Sequence, residues 1–159
     1  MIRLGKLTDY GLVLMSHIAR SPVELHSARD LAQQCHLPLP TVSKILKALL
    51  QGGLVASHRG MKGGYALAQK PHLISIAAVI AALEGPLALT ECSVEIAGLC
   101  DLESSCPIRD NQRILNQVVR GALETVMLSD LIRPLRLTTI RDGRGNLVPT
   151  VSVVSGSMQ

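Results

Sequence analysis

Residues 39–67 read LPTVSKILKALLQGGLVASHRGMKGGYAL, and this stretch decides the fold. Val42, Ile45, Leu46 and Leu49 recur at i, i+3, i+4 and i+7, the apolar stripe of an amphipathic helix over about 39–51. Pro40 falls in the first turn, where its missing N–H leaves no acceptor wanting, and Gly52-Gly53 stops the helix. The free face carries Thr41, Ser43, Lys44 and Lys47. Leu54-Val55 and Tyr65-Ala66-Leu67 then read as two short strands, with Arg59-Gly60-Met61-Lys62-Gly63-Gly64 as the bend between them. A helix with a cationic free face followed by a glycine-rich basic hairpin is the second half of a winged helix-turn-helix.

The residues upstream supply the first half. LTDYGLVLMSHIAR, 7–20, reads as a helix with Thr8 as its N-cap, Asp9 in the first turn and Leu12, Met15, Ile18 and Ala19 on the apolar face. Ser21-Pro22 ends it. Residues 27–35 read as a second helix, with Ser27 and Asp30 spaced as in a capping box. His36-Leu37-Pro38 turns the chain into the third. In such motifs the second helix of the pair enters the major groove. A hairpin tipped with Arg59 and Lys62 can straddle phosphates or probe the minor groove, and its glycines let the backbone approach closely. The same element order also fits a small helical domain whose charges are only solvated; the basic hairpin favours DNA.

Charge distribution points the same way. The 159 residues carry a net charge of +4, but residues 1–70 hold nine Lys/Arg against three acids, residues 71–135 four against eight, and residues 136–159 three against one. A basic first part joined to an acidic second part suggests one half facing nucleic acid and another facing something else. Nearly half the residues are apolar, enough for one small domain with an appendage, and with no Phe or Trp the core must be aliphatic. No apolar run reaches the length of a membrane span, and no charged segment precedes a leader-like apolar one, so a cytoplasmic, nucleoid-associated protein is expected. There is no glycine-rich phosphate loop at a strand-to-helix turn, no Gly-x-Ser-x-Gly elbow and no framed pair of acids, which argues against an enzyme.

Downstream, residues 71–84 read as an apolar helix packing on the reader, with a linker to 90. Residues 91–106, ECSVEIAGLCDLESSC, have a loop composition and three cysteines, Cys92, Cys100 and Cys106, spaced C-x7-C-x5-C. Three soft thiolates in one loop suit zinc, copper(I) or an iron–sulfur centre. A zinc site completed by His72 is one alternative, although paired C-x2-C knuckles are lacking. A metal-free thiol switch that works by oxidation is another. The distant Cys35 reads as a small buried hydrophobe. From 107 to 133 a long helix is expected, with apolar pairs Ile114/Leu115, Val118/Val119, Ala122/Leu123 and Val126/Met127. That stripe is broader than one small domain needs, and a helix pair shared by two subunits explains it. Gly121 weakens the helix and admits close approach. Residues 134–159 read as a flexible tail in which 147–154 pair transiently as a strand.

The opening L-T-D-Y-G-L, the run L-L-Q-G-G-L-V, the wing R-G-M-K-G-G-Y-A-L and the cysteine triplet together resemble one bacterial family over about residues 2–133. These are the iron–sulfur winged-helix transcription regulators that include IscR, NsrR and RirA, and the chain looks most similar to the regulators of SUF iron–sulfur assembly. The resemblance implies a mainly α fold with a small β wing and a long dimerisation helix. It also implies a homodimer on a palindromic double-stranded DNA operator, and an iron–sulfur cluster, 2Fe–2S or 4Fe–4S, in each subunit. The matching ligands are Cys92, Cys100 and Cys106; the matching DNA-reading positions are Thr41, Ser43 and Lys44, with Arg59 and Lys62 in the wing. Some members use a histidine three residues beyond the last cysteine, where this chain has Arg109. Others take a carboxylate from the partner's first helix, and Asp9 occupies that place here, where it also reads simply as a first-turn helix acid. The implied role is repression of iron–sulfur assembly genes, with nitric oxide or oxygen acting on the cluster.

Overall fold

The computed structural model describes residues 3–60, 63–94, 96, 99–102 and 104–153. Three helices open the chain, α1 (Lys6–Arg20), α2 (Ala28–Gln34) and α3 (Leu39–Gln51). The stripe read on α3 is the centre of the core: Val42, Ile45, Leu46 and Leu49 are all fully buried. They meet Leu14, Met15 and Ile18 of α1 and Leu31 of α2. Ser27 caps α2 as its spacing predicts, its hydroxyl accepting from the Asp30 N–H at 3.1 Å and donating to the Asp30 carboxylate at 2.7 Å.

The N-terminus of α1 differs from the reading. Gly5, not Thr8, is the N-cap. Its N–H donates to Glu84 Oε1 at 2.6 Å and its carbonyl accepts from the N–H groups of Thr8 and Asp9. A distant carboxylate thus satisfies the helix start, and Thr8 turns inward, fully buried, with no hydrogen-bond partner for its hydroxyl among the described residues. Leu14, not Leu12, lies in the buried face.

The wing is the antiparallel pair β1 (Val55–His58) and β2 (Gly64–Leu67), in the register Val55↔Leu67 to His58↔Gly64. A single bridge adds a third layer: His26 and Tyr65 exchange both backbone hydrogen bonds, at 2.9 and 2.8 Å. Gly64 is required there, because a Cβ would sit 2.8 Å from the His26 carbonyl oxygen. The wing is therefore tied to the residue that leads into α2.

The expected helix over 71–84 is in fact a 3₁₀ turn, Pro71–Leu73, followed by α4 (Ile76–Glu84), which Ser75 caps through the Ala78 N–H. The expected helix over 107–133 is also interrupted. α5 spans Arg109–Thr125, Val126 and Met127 are extended, and α6 is a single turn, Leu128–Leu131. The break has a tertiary cause. Val126 accepts from the Ile76 N–H at 2.9 Å, Leu128 donates to Ile74 at 2.8 Å, and Met127 forms a bridge with Ser75. These bonds carry Leu128 into the core, where it is fully buried.

The tail also departs from expectation. Residues 135–153 form a regular antiparallel hairpin, β3 (Leu135–Arg141) with β4 (Leu147–Val153), in unbroken register from Leu135↔Val153 to Arg141↔Leu147. Its turn is built by Asp142, whose carboxylate accepts from the Arg144 and Asn146 N–H groups at 2.8 Å each; these bonds hold its pKa below the ordinary value. No described helix is long and apolar enough to cross a membrane.

Candidate nucleic-acid interface and cysteine loop

Burying one stripe of α3 forces the opposite side outward. Ser43, Lys44 and Lys47 are exposed and Thr41 is half-buried, so the side chains expected to read DNA share an open helix face. Arg59 is exposed at the end of β1, while Lys62, the other expected wing contact, lies outside the described residues. Gly60 takes a φ of +134°, which only glycine adopts readily, and its carbonyl accepts from the Gly63 N–H at 3.0 Å. Helix face and hairpin tip together offer cations and hydroxyls, the donors that bind phosphates and base edges.

The second site begins at the 86–93 segment. Asn116 is the only buried residue of α5, and its side-chain amide grips that segment twice. Its oxygen accepts from the Leu89 N–H at 3.0 Å, and its nitrogen donates to the Leu87 carbonyl at 3.3 Å. One turn earlier, Arg113 Nε donates to the Cys92 carbonyl at 3.3 Å. Thr90 Oγ1 lies 3.2 Å from Cys92 Sγ and 2.9 Å from Ser93 Oγ. The first loop cysteine is thus hung directly from the long helix. Sequence reasoning missed Asn116, Arg113 and Thr90. A signal existed for Asn116, since Gln112, Asn116, Val119 and Leu123 fall at helical spacing and all four are partly or fully covered.

That inner face splits the broad apolar stripe in two. Val119 and Leu123 border a hollow shared with Ile80 of α4 and with Leu4, whereas Ile114, Leu115 and Val118 remain 57, 55 and 64% exposed. A Cβ at Gly121 would have open space, so the close approach expected of it is not made among the described residues of one chain.

All four cysteines are free thiols of intermediate exposure. Among the described residues no three His, Cys, Asp or Glu side chains gather where a metal ion could be held. Cys92, Cys100 and Cys106 share a loop but are not brought together as ligands. Asp9 is exposed and borders a hollow with Arg3, Leu4 and Lys6, whose described lining includes none of the cysteines. His72, the candidate fourth zinc ligand, lines a different hollow with Pro22, Val23 and Leu67, which removes the support for that site. Cys35 packs against the core, and burial pushes its thiol pKa up, so it stays a neutral thiol.

Comparison with known proteins follows this geometry. The profile of the Rrf2 family, described as an iron-dependent transcriptional regulator, matches residues 4–134. The chain is 41% identical over 134 residues to Rv1287 of Mycobacterium tuberculosis, which bears the name of an HTH-type transcriptional regulator; the match covers 82% of this chain and 81% of that one. It is 29% identical to the HTH-type transcriptional regulator IscR of Vibrio campbellii, covering 86% of this chain and 83% of that one. Among solved structures, CymR, the global cysteine regulator of B. subtilis, superimposes with a TM-score of 0.64 at 27% identity, covering 83% of this chain and 97% of that one. A winged reader, a cysteine loop and a long helix in this order, matched along most of their length by transcriptional regulators, place the chain in the Rrf2 family.

Proposed function

We propose that this Rrf2 regulator is a homodimer that represses iron–sulfur assembly genes, of the SUF kind, by gripping a palindromic operator in a manner set by an iron–sulfur cluster. The observation that carries this reading is the suspension of Cys92 from α5 by Arg113, and of Leu87 and Leu89 before it by Asn116, beside an exposed apolar helix face. It makes the loop and the dimer seam mechanically one object.

The donor set fits a cluster by its chemistry, since three free, half-buried thiols stand in one loop. Cys92, Cys100 and Cys106 would hold it, with Asp9 of the partner subunit as the weaker fourth ligand. When bound, the cluster supplies a centre sensitive to oxygen and nitric oxide. The chain's own residues do the rest. Arg113 and Asn116 hold the loop against α5, so ordering the loop orders the helix. Ile114, Leu115 and Val118 seal the helix pair. Thr41, Ser43, Lys44 and Lys47 face the major groove, while Arg59 and Lys62 take phosphates. A dimeric reader must match half-site spacing, and a coupling of about 1–3 kcal/mol between loop order and operator binding changes affinity about 5–150-fold. Such a protein works at the nucleoid, in the cytoplasm.

Anaerobic purification with iron and sulfide counting, before and after Cys100→Ala, tests the cluster. Brown material that loses its colour and its operator regulation with the substitution is expected; colourless, iron-free protein after reconstitution would sink the reading. For the interface, Lys44→Ala should alter sequence preference. Arg59→Ala should weaken binding to all sequences and lower the salt slope by about one unit.

One observation favours a second reading. The thiols stand free and ungathered, and the fold resembles a cysteine regulator, so a metal-free switch driven by thiol oxidation fits as well. Peroxide-dependent mass shifts in iron-free protein that retains regulation would decide for it.

A further inference from the structure

Among the described residues the β3–β4 hairpin is a two-stranded sheet of its own, and β3 is exposed along its whole length. A lone two-stranded hairpin is at best marginally stable in water and needs a helix or further strands on its apolar face. Its register fixes which side chains share that face: Leu135 opposite Val153, Leu137 opposite Val151, and Arg141 opposite Leu147. Leu137 and Leu147 are 78 and 63% exposed. The other face is polar in two of its three pairs, Arg136 opposite Ser152 and Thr138 opposite Thr150, with Ile140 opposite Val148 as the third. The hairpin also lies beyond residue 134, where the family match ends.

We infer that this hairpin docks on the cysteine loop of a second copy of the chain, covering Ile96, Leu99 and Leu102 from the partner side. The inference rests on the α5-seamed dimer proposed above, and three observations lead to it. The first is charge. Residues 84–106 contain five acids and no Lys, Arg or His, whereas residues 135–153 contain Arg136, Arg141 and Arg144 against Asp142. The second is apolar surface. The loop exposes Ile96, Leu99 and Leu102 at 59, 44 and 63%, which matches the leucine–valine face of the hairpin in kind.

The third is position. The loop joins α5 at its N-terminal end and the hairpin follows its C-terminal end, and a 17-residue helix holds those ends about 25 Å apart. Within one chain Ile96, Leu99 and Leu102 of the loop and Leu137 and Leu147 of the hairpin all stay exposed, so the two do not cover each other. Two copies paired through Ile114, Leu115 and Val118 have two choices. Parallel helices would set two acidic loops side by side, and like charges in an interface are unfavourable. Antiparallel helices, related by a two-fold axis across α5, instead bring each basic hairpin beside the other copy's acidic loop. Hairpin and loop then each gain the cover they lack in one chain.

The test uses the full-length protein with a photo-crosslinking amino acid in place of Leu137, in dimers mixed from isotopically light and heavy copies. Sedimentation is measured first. Links from position 137 to peptides within 91–106 of the opposite isotope label are expected. A dimer whose links stay within one label, or reach the partner's hairpin or α5, or do not form, overturns the docking but leaves the dimer standing. A monomer overturns both. A second measurement guards against local misfolding. In the reduced, metal-free protein, Leu137→Asp should raise the alkylation rates of Cys100 and Cys106 about tenfold, the effect of losing roughly one buried leucine, while Cys35 reacts unchanged. Equal acceleration at Cys35 would mean general loosening and count against the lid.

Discussion

The two halves of this chain differ in how they are closed. In the reader, each helix buries its stripe against another: Leu14 and Ile18 of α1, Leu31 of α2 and Ile45 of α3 are all fully covered. In the half beginning at Gly85, α5 buries one residue and that residue is an asparagine, while β3 is exposed along its whole length. The reader is complete as a single chain. The rest has the surface of a molecule cut in two, since exposed apolar faces of this extent mark interaction sites in soluble proteins.

The sharpest way to break this contrast is to truncate one side chain in each half. Leu46→Ala removes a fully buried side chain and should cost about 3 kcal/mol of stability in denaturant unfolding. Leu115→Ala should barely move the unfolding of dilute monomer, because that side chain is 55% exposed, but should shift dimerisation to higher concentration by sedimentation. Equal losses from the two would show that the halves are not closed differently. A smaller effect is expected at the joint. Asn116→Ala removes both bonds to the 86–90 segment and should cost about 2 kcal/mol, read as faster hydrogen exchange at Leu89 with the reader's amides unaffected.

Two further changes refine the picture. Ser27→Ala deletes the α2 cap and should lower reader stability by about 1 kcal/mol in thermal melts. Gly121→Ala has open space around the new methyl and should stabilise α5 in the monomer by about 0.8 kcal/mol. If it weakens the dimer instead, Gly121 lies where the two helices meet.

How much was readable in the sequence follows the same division. The α3 stripe was legible because its four apolar residues sit at helical spacing and all find cover within the chain. The α2 cap was legible because Ser27 and Asp30 interact within one turn. Thr8 misled because the true start of α1 depends on Glu84, far along the chain. The break at Val126–Met127 was invisible for a similar reason: the local pattern continues a helix, and only the bonds to Ile74 and Ile76 stop it. The cysteines were legible as three thiols in one loop, whereas their spatial relation belongs to the loop and not to the spacing. In the tail, serines and glycines suggested a chain without structure, yet the alternation from Leu135 to Arg141 pairs residue for residue with that from Leu147 to Val153.

The backbone splice of Val126 and Leu128 to Ile76 and Ile74 has a geometric consequence. Because α5 ends inside the reader's fabric and not on a slack linker, it acts as an oar fixed in its rowlock. A swing of 10° about the far end of a helix about 25 Å long sweeps its near end through about 4 Å, slightly more than the 3.4 Å rise of one base pair. In the dimer proposed above, small adjustments of pitch at α5 would therefore be enough to put the two recognition helices out of step with the groove.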